Sequence, residues 1–195
     1  MFDHQSYIVR EHVGFLKMTD TYDILDPENG KMLGLARERI SGWMTFLRLL
    51  LNKRMLPTKV VLIEGEDPQA QPTITIERGF TFLRNRLSIK DAQGGEIGSF
   101  RSRLFTLGGA FDIFDPNGRR IGSVKGDWRG WNFRFLDDTD KEIGTITKKW
   151  AGLGKELFTS ADTYAVALNA GTPAALMPLL LAAGLAIDVV YKEKG

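Results

Sequence analysis

A chain of 195 residues, 43% hydrophobic and 26% charged, has the material for a single domain that buries roughly 70% of its unfolded surface around one core. The net charge of +2 excludes recognition of a partner through overall charge, so an electrostatic contact has to come from a local patch. The lack of cysteine excludes disulfides, thiolate catalysis and cysteine–zinc centres, and agrees with a reducing compartment.

The opening stretch MFDHQSYIVREH has neither the basic flank nor the apolar core of a secretory leader, which leaves the cytosol as the expected location. Ser6–Val13 reads as a first strand. A unit then recurs: YDILDPENGKMLG (22–34), LSIKDAQGGEIG (87–98), FDIFDPNGRRIG (111–122) and FRFLDDTDKEIG (133–144). Each is an alternating strand, an Asp-led turn and a second strand opened by an apolar–Gly pair. Asp accepts turn hydrogen bonds, Pro27 and Pro116 preset the next φ, and Gly30, Gly95 and Gly118 suit a positive φ. These are β-hairpins of the type I turn plus glycine-bulge kind, and the last three form an antiparallel meander.

The gap between the first two copies has room for two more units. It holds the run KVVLI within Pro57–Gly65 and the alternating strand Thr73–Glu77, with a Pro-rich turn over Glu66–Pro72. It also holds a predicted helix, Ser41–Leu56, in which Trp43, Phe46, Leu47, Leu50 and Leu51 recur at helical spacing, opposite Thr45, Arg48 and Asn52. With Lys53 and Arg54 following, this helix reads either as a lid packed on the sheet or as an interfacial helix that docks on membrane.

Thr163–Leu168 is the last strand. After it, Thr172–Asp188 carries no charge until its final residue, and every face of a helix drawn through it is apolar. Such a helix either spans a membrane or is enclosed. The run falls short of the roughly 20 residues a bilayer requires, which favours enclosure. Pro173 fits a first helical turn, whereas Pro178, further in, costs a backbone hydrogen bond. About a dozen antiparallel strands and one apolar helix predict a closed barrel threaded by Pro173–Val190, with Leu176–Val190 shielded from water.

The order of these repeats, then KKWAGLGKELFTSADTYAV (148–166), then an apolar terminal helix, resembles the phospholipid scramblase and LURP-one-related families. The most specific part runs from Trp150 to Tyr164, with Lys155, Glu156, Leu157 and Phe158 followed by Asp162. The resemblance implies the tubby C-terminal fold, a barrel of about a dozen strands around a hydrophobic C-terminal helix. Animal scramblases look like this domain preceded by a proline-rich, cysteine-bearing segment, which is not found here. Of their proposed acidic calcium segment only Asp162 matches, and calcium needs six to eight oxygen ligands.

Candidate chemistry is sparse. Asp137, Asp138 and Asp140 read as a solvated turn before they read as a metal site, and His4 and His12 lack an acidic or cysteine partner at ligand spacing. No nucleophile–base pair or phosphate loop is signalled, so neither an enzyme nor a bound cofactor is expected. Basic residues recur instead on the strands: Arg84 and Arg86, Arg101 and Arg103, Arg119 and Arg120, Lys148 and Lys149. Alternate spacing puts Arg84/Arg86 and Arg101/Arg103 on the outer face. The expected lipid-contacting set is therefore Trp43, Phe46, Leu47, Leu50, Arg48, Lys53, Arg54, Arg101, Arg103, Lys148 and Lys149. Its expected partner is an anionic phospholipid or phosphoinositide surface, or a protein; nucleic acid fits poorly. The competing function is lipid translocation with the terminal helix inserted in the membrane.

Overall fold

The computed structural model describes residues 2–12, 20–40, 56–80, 86–103, 109–127, 129–148 and 163–192, with side chains of the last helix described to Asp188. Twelve strands are present: β1 (Ser6–Glu11), β2 (Thr21–Leu25), β3 (Met32–Glu38), β4 (Thr58–Glu64), β5 (Pro72–Arg78) and β6 (Arg86–Asp91), then β7 (Glu96–Ser102), β8 (Ala110–Phe114), β9 (Arg120–Asp127), β10 (Asn132–Asp137), β11 (Glu142–Thr147) and β12 (Thr163–Leu168). Each pairs antiparallel with its neighbours in sequence, and β1 pairs with β12, so the sheet closes into a barrel. The gap between the first two repeats holds one further hairpin, β4–β5, among the described residues.

The repeat explains the turns. In the β2–β3 hairpin the Glu28 amide donates to Asp26 Oδ1 at 2.8 Å and the Gly30 amide to the Asp26 carbonyl at 2.8 Å. Gly30, Gly94 and Gly118 take the left-handed position, and Asp140 takes it in the fourth copy. In the second copy this residue is Gly94 and not Gly95, whose amide instead donates to Asp91 Oδ1 at 2.8 Å. A register shift follows each turn, at Ile24/Leu25, Ile89/Lys90, Ile113/Phe114 and Phe135/Leu136, which is the expected bulge.

After β12, Asn169 Nδ2 donates to the Glu142 carbonyl at 3.0 Å and Thr172 Oγ1 to the Ile143 carbonyl at 3.1 Å, turning the chain back over the barrel mouth. A 3₁₀ turn (Ala174–Leu176) leads into helix α1 (Met177–Lys192). The helix starts later than the composition implied. Leu176 is half-buried in the 3₁₀ turn, and Pro178 falls in the first turn of α1, where a missing N–H has no intrahelical partner to lose. The shielded segment runs from Met177 to Asp188, with Leu180, Leu181 and Ile187 fully buried. Inward residues of all twelve strands join α1 in one core, including Val9, Ile24, Leu62, Ile89, Phe133 and Val166.

The apolar–Gly pairs let the helix approach. A Cβ on Gly144 would stand 2.7 Å from the Ala167 carbonyl oxygen and 2.9 Å from Leu180 Cδ2. Outside the barrel, Leu35, Val61 and Ile63 are buried with Met32 and Ala70 packed on them, so KVVLI is apolar on both faces because both are covered.

The barrel has two unlike ends. The tight turns 26–31, 65–71, 92–95, 115–119 and 138–141 lie at one, the turn end, where α1 enters. The other, the loop end, is where β3, β5, β7 and β11 finish and β4, β6, β8 and β12 begin.

Candidate functional site

Alternation on β7 and β8 decides which side chains reach the surface. Phe100, Phe111 and Ile113 belong to the core, so Arg101, Asp112 and Phe114 point outward. In register, Arg101 stands between Arg86 of β6 and Asp112 of β8. Its guanidinium carbon lies 4.2 Å from the centre of the Phe114 ring, a cation–π contact of about 0.5–1 kcal/mol at an exposed site. Stacking occupies the face of the guanidinium and not its in-plane N–H donors.

Next to it, Asp112 gathers two arginines. Arg103 donates through Nε at 2.9 Å and through Nη2, and Arg120 donates through Nε at 3.1 Å. Partial burial opposes ionisation of Asp112, but the hydrogen bonds and charges of Arg103 and Arg120 outweigh it and hold the carboxyl below its ordinary range. The same bond holds the Arg103 guanidinium above its ordinary value. Lys125 Nζ donates to Asp140 Oδ1 at 2.9 Å, and Arg120 Nη2 lies 3.8 Å from that oxygen. The Lys125 bond lowers the Asp140 pKa. Arg134 lies exposed between Phe133 and Phe135 of the core, opposite Lys125 and Thr145. The outer face from β7 to β10 thus carries Arg101, Arg103, Arg120, Lys125 and Arg134 around two carboxylates.

The structure brings together only part of the expected set. Arg101 and Arg103 share this face, but Arg103 is tied to Asp112. Lys148 sits apart, its Nζ 4.8 Å from the centre of the Trp131 ring. Arg119 lies in a turn, 3.4 Å from Asp115. Trp43, Phe46, Leu47, Arg48, Leu50, Lys53, Arg54, Arg84, Lys149 and the stretch 149–162 lie outside the described residues.

Asp137 is used by its own turn, its Oδ1 accepting from the amides of Thr139 at 2.8 Å and Lys141 at 3.0 Å. Among the described residues no group of three or more His, Asp or Glu could hold a metal ion. His12 does have an acidic partner: its Nε2 lies 2.6 Å from Asp23 Oδ1, while Arg10 donates to Oδ2 at 2.9 Å. Spacing along the chain hid this contact, because the β1–β2 pairing creates it by setting Arg10 opposite Asp23.

Two residues escaped the sequence reading. Arg134 was legible in the alternation Phe133–Arg134–Phe135. Asp188 read as the polar end of the apolar run, yet it is buried at 6% exposure and accepts a hydrogen bond from the Tyr22 hydroxyl.

A closed antiparallel barrel whose interior is filled by its own hydrophobic C-terminal helix, with arginines clustered on the outer face from β7 to β10, defines a barrel-and-helix scaffold. The chain belongs to the Scramblase family, whose family model matches residues 13–194. No curated protein and no solved structure matches it.

Proposed function

We propose that this scramblase-family domain is a non-enzymatic binding module that meets anionic lipid headgroups through its outer surface, as a peripheral protein at the cytoplasmic side of a membrane. One observation carries the reading. Arg101 and Arg134 are exposed on a face whose other cations, Arg103, Arg120 and Lys125, outnumber the Asp112 and Asp140 carboxylates that they meet. Guanidinium groups suit phosphate because their planar donors bind it in pairs.

Translocation by an inserted helix is the less favoured reading. It asks α1 to leave a core in which Leu180 and Leu181 are fully buried and Asp188 is bonded to Tyr22. No helix among the described residues is long and apolar enough to cross a membrane.

Co-sedimentation tests the proposal. Vesicles containing phosphatidylserine or a phosphoinositide should bind the protein, and added salt should weaken binding. Each basic residue near an anionic surface contributes about 1 kcal/mol, so Arg101→Glu with Arg134→Glu should weaken binding at least about tenfold. Equal binding to phosphatidylcholine vesicles, or none to any, would sink the reading.

A further inference from the structure

Charge is distributed unevenly along the barrel axis. The turn end exposes Glu28, Glu64, Glu66, Asp67, Asp138 and Asp140 against Lys31, Arg119 and Lys141. The loop end carries Arg39, Arg86, Arg101, Arg103, Arg129 and Lys148 against Glu11, Asp20 and Asp127. An anionic surface would repel the first end and attract the second.

The loop end also holds an unusual side chain. Phe80 is 58% exposed, and no other large hydrophobic residue among those described is exposed. Its place follows from strand register. Arg78, the last residue of β5, pairs with Leu87, and Arg86 pairs with Arg101. Phe80 therefore stands just past the end of β5, at the same end of the sheet as Arg86, which opens β6, and Arg101, next to last in β7. A bare phenylalanine exposes apolar area to water at a cost that transfer into a headgroup–acyl boundary would relieve, while adjacent arginines stay with the phosphates.

The geometry points to end-on docking: the loop end faces an anionic lipid surface, Phe80 enters the boundary between headgroups and acyl chains, Arg101 contacts phosphates together with Arg86, which exchanges its 3.7 Å pairing with Glu96 for a phosphate, and the acidic turn end points away. This deepens the lipid reading above and rests on it. It adds an orientation and an inserting residue that the basic flank alone does not supply.

The chain has no cysteine, so single labels are clean. Phe80→Cys and, at the exposed turn of β8–β9, Asn117→Cys would each carry an environment-sensitive fluorophore. On phosphatidylcholine–phosphatidylserine vesicles the label at position 80 should shift to shorter wavelength and be quenched by quencher-bearing acyl chains, while the label at 117 should not change. Phe80→Asp should keep the thermal midpoint and weaken vesicle binding about tenfold, the loss expected when one aromatic side chain no longer inserts. If vesicles sediment the protein while the label at 80 stays in water, or while that at 117 responds, end-on docking is wrong and the lipid reading stands. If no vesicle sediments the unlabelled protein, both are overturned.

Discussion

The Tyr22 hydroxyl on β2 donates its hydrogen to the buried carboxylate of Asp188, near the end of α1 and 166 residues away in sequence. The bond fastens the C-terminal half of the central helix to the barrel wall at the loop end. Tyr164, fully buried on β12, feels the same carboxylate. A buried acceptor that loses its donor retains its desolvation cost, so Tyr22→Phe should destabilise the domain by about 1–3 kcal/mol in chemical denaturation. A change under about 0.5 kcal/mol would mean that the bond does not hold the helix.

Burial also governs how the tyrosines titrate. Burial pushes the Tyr7 pKa up to about 12, with the His4 amide opposing it. Tyr22 and Tyr164 are raised well above the ordinary value, first by burial and then by the charge of Asp188. In the unfolded chain these groups lose their protons near pH 10, while the folded chain keeps them. Above about pH 10 the native state therefore binds more protons than the unfolded state, and stability falls as pH rises. Ultraviolet titration at about pH 11 should find Tyr7, Tyr22 and Tyr164 un-ionised in folded protein and ionised in urea. Full phenolate absorbance in folded protein at that pH would contradict the packing of all three.

The central helix admits a harsher test. Leu180 is fully buried and lies against the Gly144 position of β11. Leu180→Asp places a charge in the apolar core cluster, at a cost of several kcal/mol that is comparable to the stability of a whole domain. The variant should be unfolded by circular dichroism and calorimetry. An unchanged thermal midpoint would show that α1 is not enclosed.

The barrel was legible because its signals are local and repeated. Asp26, Asp91, Asp115 and Asp137 each open a turn that hydrogen-bonds within itself, and period-two alternation places Phe133, Phe135 and Ile146 inside. Closure followed from the apolar run, which had nowhere else to go. Contacts between distant segments were not legible. Asp112 meets Arg103 and Arg120, and Asp188 meets Tyr22, through strand register and helix depth that no spacing records. In the sequence Pro173 reads as opening the helix and Pro178 as interior to it, but the chain enters through the 3₁₀ turn Ala174–Leu176, which puts Pro178 in the first α-helical turn.

The carboxylate of Asp112 sets how much positive charge the outer face presents. Its pKa is lowered in the folded state, so its stabilising contribution is present above about pH 4 and fades as pH falls through the folded value. Asp112→Asn removes the charge but keeps the shape, leaving Arg103 without this carboxylate and Arg120 with only the more distant Asp140, 3.8 Å away, beside Arg101. Partly exposed pairs of this kind are worth about 1 kcal/mol or less, so the variant should stay folded with a small loss of stability and a weaker dependence on acid. If lipid headgroups bind this face, two guanidiniums released from Asp112 should strengthen sedimentation with phosphatidylserine vesicles and steepen its dependence on salt. Tighter binding in a slightly less stable variant is a combination that a purely structural role for the arginines would not produce. Unchanged binding in a folded Asp112→Asn protein would remove Arg103 and Arg120 from the contact and confine it to Arg101 and its neighbours at the loop end.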